Sequence, residues 1–166
     1  FDAQPETPMP SLRTLIAYAL PAAPLAALYF PVYVYVAPFY AAERGVALSA
    51  LGGLLIAVRL LDAVSDPAMG WLSDRLRTPW GRRKPWLGLA TPLVAVSVWM
   101  LMAPPEGAGL AHAALWLSSL TLAWTVALTP YFAWGAEITG DYDGRARVAA
   151  WREGVTLAGT VLAVAL

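Results

Sequence analysis

Cysteine is absent from the 166 residues. A disulfide framework, a thiolate metal site and a cysteine nucleophile are therefore excluded. Histidine is limited to His112, and no Ser–His–Asp set, His-Glu-x-x-His helix or phosphate-binding glycine loop occurs. Charge is scarce as well. Only 13% of residues are charged, against about a quarter in an ordinary soluble domain. Eleven basic residues balance eleven acidic ones, so there is no global basic field for nucleic acid.

Apolar side chains fill the gap. They make up 59% of the chain, and mean hydropathy is +0.58. Both values point to a polytopic all-α membrane protein. Eight Trp and seven Tyr suit membrane interfaces and solute pockets.

Charge-poor runs locate the spans, since about 20 mostly apolar residues cross a bilayer. They predict helices over 12–41, 46–74, 85–104, 109–138 and 146–166. The first run is too long for the hydrophobic part of a cleavable signal. After Glu153 the last run keeps only Gly154–Leu166 free of charge, so the chain is expected to be cut within its fifth span. Short connections carry turn residues: Glu43-Arg44-Gly45, Thr78-Pro79-Trp80-Gly81, Pro104-Pro105-Glu106-Gly107 and Gly140–Gly144. Pro21, Pro24, Pro31 and Pro38 punctuate the first span and Pro130 the fourth. Such prolines suit kinked helices around a cavity, although membrane helices tolerate proline anyway.

Loop charges set the orientation. Arg13, Arg75, Arg77, Arg82, Arg83, Lys84, Arg145 and Arg147 fall on one side of the membrane, and Arg44 alone on the other. Eight against one places the N-terminus and the basic loops in the cytoplasm. Trp71, Trp80 and Trp86 flank the main basic loop as interfacial anchors.

Three charges interrupt the second span. Arg59, Asp62 and Asp66 lie at i, i+3 and i+7, on one helical face. Counting from Asp74 at about 1.5 Å per residue, Asp66 sits roughly 12 Å and Asp62 roughly 18 Å deep. They straddle the middle of a hydrocarbon core about 30 Å thick. A midplane charge costs at least ~2.5–3.5 kcal/mol, so the pair requires a purpose. Two carboxylates one turn apart repel and share a proton or draw a cation between them. Carboxylate oxygens suit a small hard cation or a proton. Alternatively Arg59 pairs with Asp62 and the group only orients helices, which would leave Asp66 unpaired. Near the cytoplasmic end, Gly70 allows close helix approach and Asp74 can cap neighbouring helix ends.

Two blocks carry a family resemblance. The first runs Asp62-Ala-Val-Ser-Asp66-Pro67-Ala-Met-Gly70-Trp71-Leu-Ser-Asp74-Arg75, then Trp80-Gly81-Arg82-Arg83-Lys84-Pro85-Trp86. The second comprises Pro130-Tyr131-Phe132-Ala133-Trp134-Gly135-Ala136-Glu137, then Asp141, Asp143, Arg145, Arg147 and Arg152. Together they resemble the glycoside–pentoside–hexuronide:cation symporters of the major facilitator superfamily. The resemblance implies twelve helices in two bundles, of which this chain supplies about five. It also implies a bacterial inner (cell) membrane location and a solute site completed by the C-terminal half of the same transporter. No cofactor is implied beyond a coupling Na⁺ or H⁺, and no metal beyond a possible Na⁺.

By position, Asp62, Asp66 and Thr125 match the family's cation site. Tyr33, Trp124, Phe132 and Arg152 fall at its solute positions. Gly70, Asp74, Arg75, Gly81, Arg82 and Arg83 match its cytoplasmic loop motif. Two departures matter: the acidic positions that hold sugar hydroxyls are here near Ala26 and at Leu128, both apolar. The expected function is cation-coupled symport of a small organic solute such as a sugar or glycoside. An intramembrane lipid-modifying enzyme and a non-transporting receptor of the same fold stand as alternatives. His112 reads as an interfacial residue, and Glu137 as a loop-ordering or gating contact. Arg152 either reaches the cavity or snorkels to the interface.

Overall fold

The computed structural model describes residues 9–76, 79 and 81–165. Arg77, Thr78 and Trp80 of the basic loop lie outside the described residues. Every regular element among the described residues is a helix: α1 (Leu12–Ala19), α2 (Ala22–Arg44), α3 (Leu48–Arg75), α4 (Lys84–Met102), α5 (Leu110–Glu137) and α6 (Tyr142–Ala165). Among the described residues, five helical runs, counting α1 and α2 together, are long and apolar enough to cross a membrane.

Local chemistry sets the boundaries. Ser11 caps α1 by accepting the Thr14 N–H at 3.3 Å. The first span, expected to be one helix over 12–41, is instead interrupted at Leu20-Pro21. Proline has no N–H to continue the ladder. The other prolines of the span lie inside α2 without ending it. Gly45 closes α2 at a φ of +64°, a left-handed conformation that glycine adopts without steric cost. The Val46 N–H then returns to the Tyr40 carbonyl at 3.1 Å. At the start of α6, Asp141 accepts the Gly144 N–H at 2.8 Å. The 24 residues of α6 reach about 36 Å. That is enough to cross by length and composition, whereas its charge-free part alone is too short. Counting the turns that hold Arg145 and Arg147 makes the difference, because basic side chains near a helix end can reach the interface.

The chain divides into two compact units, one of residues 1–31 and 132–166, the other of Val32–Tyr131. In the second, Val32, Val36, Tyr40, Leu51, Val58, Val94, Leu101, Ala113, Leu117, Leu120 and Ala123 form a continuous core. These positions recur at helical spacing on α2, α3, α4 and α5. Outward positions are equally apolar. Ile56, Leu60 and Val64 on α3, and Leu89, Leu93, Val96 and Trp99 on α4, are exposed. A helix apolar on every side fits a lipid surround.

Lipid tails are as apolar as leucine, so helices in a bilayer associate through close packing and interhelical hydrogen bonds rather than hydrophobic burial. The second unit relies on such bonds. Tyr40, fully buried, has its hydroxyl 2.9 Å from His112 Nδ1, so His112 joins α5 to α2 and is more than an interfacial residue. Arg44 donates to the Pro104 and Pro105 carbonyls at 3.0 and 3.3 Å.

The first unit uses close approach. A methyl on Gly159 would lie 2.7 Å from the Ala23 Cα, so α6 meets α2 backbone to backbone. A methyl on Gly135 would lie 2.6 Å from the Tyr18 ring. The buried Tyr18 ring meets Trp134 edge-on at 5.7 Å.

Candidate cation and solute site

The carboxylate pair is built by α3 and α5, both within the second unit at this level. Helical spacing brings Asp62 and Asp66 to one face of α3, and Thr125 of α5 reaches them. The buried Thr125 hydroxyl lies 2.9 Å from Asp66 Oδ1 and 3.4 Å from Asp62 Oδ1. The remaining Asp62 oxygen, Oδ2, accepts from Arg59 at 3.3 Å. Thus Asp62 does pair with Arg59, and Asp66 has a hydroxyl partner from another helix.

Ser65 belongs to the same group. Its hydroxyl is 3.2 Å from Thr125 Oγ1 and donates to its own helix at the Asp62 carbonyl, 3.3 Å away. Sequence spacing alone does not single out Ser65. The available signal was a hydroxyl at i+3 from Asp62, one residue before Asp66.

A donor count defines what this cluster can do. Each hydroxyl has one proton to give. Thr125 can serve only one of the two carboxylate oxygens at a time, and Ser65 can serve either Thr125 or the Asp62 carbonyl. Oxygen acceptors therefore outnumber protons around Thr125. Arg59, Asp62 and Asp66 sum to a formal charge of −1. No third His, Cys, Asp or Glu joins the pair among the described residues. An oxygen-rich group with one surplus negative charge fits one monovalent cation.

Of the expected solute residues, Tyr33 and Trp124 lie in the second unit. The Arg59 guanidinium stacks over the Tyr33 ring at 4.8 Å. Trp124 is half-buried against the core. Phe132 and Arg152 lie in the first unit, where the guanidinium covers the exposed Phe132 ring at 4.5 Å. Arg152 also donates to Glu153 at 2.6 Å and faces the Tyr18 hydroxyl. Its head is thus tied locally within this unit and does not snorkel freely. An open concavity of about 360 Å³ on α6 is lined by Arg147, Ala150, Trp151, Gly154 and Val155, none of them expected solute residues.

The loop motif resolves differently from its expected roles. Among the described residues, Asp74 does not cap a neighbouring helix end. It accepts from Arg83 at 2.8 Å, and Arg83, buried, also donates to Ser73 at 2.8 Å. Ser73 in turn donates to the Gly70 carbonyl at 3.1 Å. A side chain running back across the loop thereby ties the start of α4 to the end of α3. Gly70 is not a point of close helix approach, because a methyl there would sit 3.7 Å from Thr129, an ordinary contact. Arg75 stacks over exposed Trp71 at 3.8 Å. Gly81 turns the loop at a φ of +97°, followed by Arg82.

These features define an integral membrane protein of the transporter class, with apolar helices and an intramembrane acidic pair. The chain belongs to the family described as MFS/sugar transport protein, which matches residues 17–166, and its relatives place it among the glycoside–pentoside–hexuronide:cation symporters. It is 33% identical over 159 residues to the inner membrane symporter YicJ of Escherichia coli, covering 94% of this chain and 35% of that protein. It is 35% identical over 126 residues to the putative glycoside/cation symporter YagG of the same organism, covering 74% and 27%. A glucuronide carrier protein homolog, also from Escherichia coli, is 30% identical over 146 residues, covering 86% and 32%. The chain thus spans about a third of the length of these relatives.

Proposed function

We propose that this chain is the N-terminal bundle of a secondary transporter that carries a small organic solute together with one monovalent cation by alternating access. The observation that carries the reading is the surplus of oxygen acceptors where Thr125 meets Asp62 and Asp66. A proton would need only one carboxylate. Two hydroxyls gathered beside the pair favour a metal cation such as Na⁺. Family membership in a class of transport proteins speaks against an intramembrane enzyme.

By the family resemblance, Tyr33 and Trp124 of one unit and Phe132 and Arg152 of the other are each assigned to solute contact. Aromatic faces and a single guanidinium, with apolar residues near Ala26 and at Leu128, suit a glycoside-like solute with an apolar substituent better than a free disaccharide. The names of the relatives YagG and the glucuronide carrier homolog support a glycoside-like class. The eight-to-one basic asymmetry supports a cytoplasmic N-terminus in a bacterial inner membrane.

The test is uptake of a nitrophenyl glycoside by the full-length protein in liposomes, under an inward Na⁺ gradient or a matched K⁺ gradient. The expected result is accumulation only with Na⁺, and weak or no uptake of melibiose under the same gradient. Equal uptake under both gradients would contradict cation coupling.

A further inference from the structure

Residues near Ala26 and at Leu128 offer a solute no acid, but α6 carries a carboxylate at membrane depth. Counting from Tyr142 at about 1.5 Å per residue, Arg152 and Glu153 lie roughly 15 and 16 Å along the helix. That is near the middle of a hydrocarbon core about 30 Å thick. The Glu153 side chain is 57% exposed, and a charge at that depth faces a watery cavity or the protein interior rather than lipid. The rest of its face agrees. Ala149, Arg152, Glu153, Thr156 and Thr160 share one arc of α6, while exposed Leu157, Val161 and Leu162 lie outside it. Thr156 and Thr160 donate to the Arg152 and Thr156 carbonyls at 2.9 and 3.0 Å, so neither proton is given to Glu153.

The pair itself is directed. Arg152 Nε and Nη2 donate to the same Glu153 oxygen, Oε1, at 3.2 and 2.6 Å. Among the described residues the hydrogen bonds to Glu153 both end there, which leaves Oε2 open. The buried Tyr18 hydroxyl meets the guanidinium as well, and the Phe132 ring lies 4.5 Å beneath it. A guanidinium has five N–H groups, so the head keeps donors beyond the two given to Glu153. A donor and an acceptor thus stand side by side, fixed by a short charge-assisted bond, next to aromatic surface.

We propose that Glu153 is the hydroxyl-accepting residue of the solute site, and that its pairing with Arg152 selects neutral glycosides over uronides. The proposal deepens the reading of Arg152 as a solute residue and rests on it. Oε2 accepts from one sugar hydroxyl while an Arg152 N–H donates to a neighbouring oxygen. Without Glu153 the guanidinium would offer its full charge to a carboxylate, the partner its fork fits best. Glu153 cancels that charge and repels a second carboxylate. A uronide therefore loses its attraction, and a neutral sugar ring keeps both hydrogen bonds. One carboxylate in place of two is in keeping with a solute whose remaining surface is apolar.

The test is equilibrium binding of nitrophenyl glucoside and nitrophenyl glucuronide to the purified full-length protein in saturating Na⁺. The two probes differ only in a hydroxymethyl group replaced by a carboxylate. The parent should prefer the glucoside. Glu153→Gln should weaken the glucoside roughly tenfold and tighten the glucuronide about fivefold, so that the preference reverses. Glu153→Asp keeps the charge but withdraws the oxygens. There the glucoside should weaken about threefold with the glucuronide still rejected. A parent preference for the glucuronide overturns the proposal, as does a glucoside-to-glucuronide ratio unchanged in Glu153→Gln. Parent glucoside affinity in Glu153→Asp overturns it too, even if Glu153→Gln fails to fold. Arg152→Gln separates the two possible failures. If it abolishes glucoside binding while Glu153→Gln behaves as the parent, only the role of Glu153 falls. If it binds both probes as the parent does, the solute reading of Arg152 falls and this proposal with it.

Discussion

Asp66 of one compact unit and Arg152 of the other are satisfied in opposite ways. In Val32–Tyr131, Asp66 takes its hydroxyl partner from α5, while Asp62 beside it also pairs with Arg59 of its own helix. In the other unit, Arg152 is neutralised by Glu153, the next residue of its own helix, and covered by a ring. A pair made by chain neighbours travels with its helix and survives small movements of the surroundings. A carboxylate served from another helix gains or loses its partner as the helices shift. The first arrangement suits a fixed charge, the second a site that loads and empties.

Packing follows the same division. Close backbone approach holds the first unit at Gly159 and Ala23, whereas side-chain hydrogen bonds join helices in the second. Glycine substitutions should break this comparison most severely. Gly159→Ala brings its methyl against backbone that cannot swing away, and overpacking of this kind costs about 1–3 kcal/mol. Gly70→Ala meets only ordinary contact and should be neutral or slightly stabilising through better helix propensity. Thermal melting of the full-length protein in detergent checks both. Equal melting temperatures for the two variants would erase the distinction between the units.

Much of this architecture was legible in the residues. The charge-poor runs located the spans, and the i, i+3, i+7 spacing of Arg59, Asp62 and Asp66 put three charges on one face before any packing was known. The placement of Thr125 beside them rested on family resemblance alone, because no periodicity on α3 reveals which residue of α5 comes alongside. Ser65 went unread because a serine in a helix commonly bonds its own backbone, as this one partly does. Gly159 and Gly135 were hidden among thirteen glycines. Only the packed structure separates a glycine that admits a neighbour from one that merely faces open space. Asp74 was misread because a carboxylate at a helix end ordinarily caps, and the return of Arg83 across the loop is a tertiary event.

The hydroxyls sharpen the comparison through ligand affinity rather than stability. Thr125→Val keeps shape and removes the interhelical donor and ligand, and a hydrogen bond to a charged group contributes about 1.5–3 kcal/mol. Na⁺ affinity should fall roughly tenfold or more. Ser65→Ala removes a hydroxyl that also serves its own backbone, and an ordinary hydrogen bond is worth about 0.5–1.5 kcal/mol. Its expected loss is therefore only a few-fold. Titration of Na⁺ against the purified variants gives both numbers. A larger loss in Ser65→Ala than in Thr125→Val would reverse the assignment of the main hydroxyl ligand.

The most direct measurement is equilibrium binding of radioactive sodium to the purified full-length protein, comparing the parent with Asp66→Asn. The asparagine preserves size and some hydrogen bonding but removes the charge that makes the group −1. The account predicts one bound Na⁺ per parent molecule and none measurable in the variant, with both proteins inserted and folded alike. Saturable sodium binding by Asp66→Asn at the parent's affinity would contradict it.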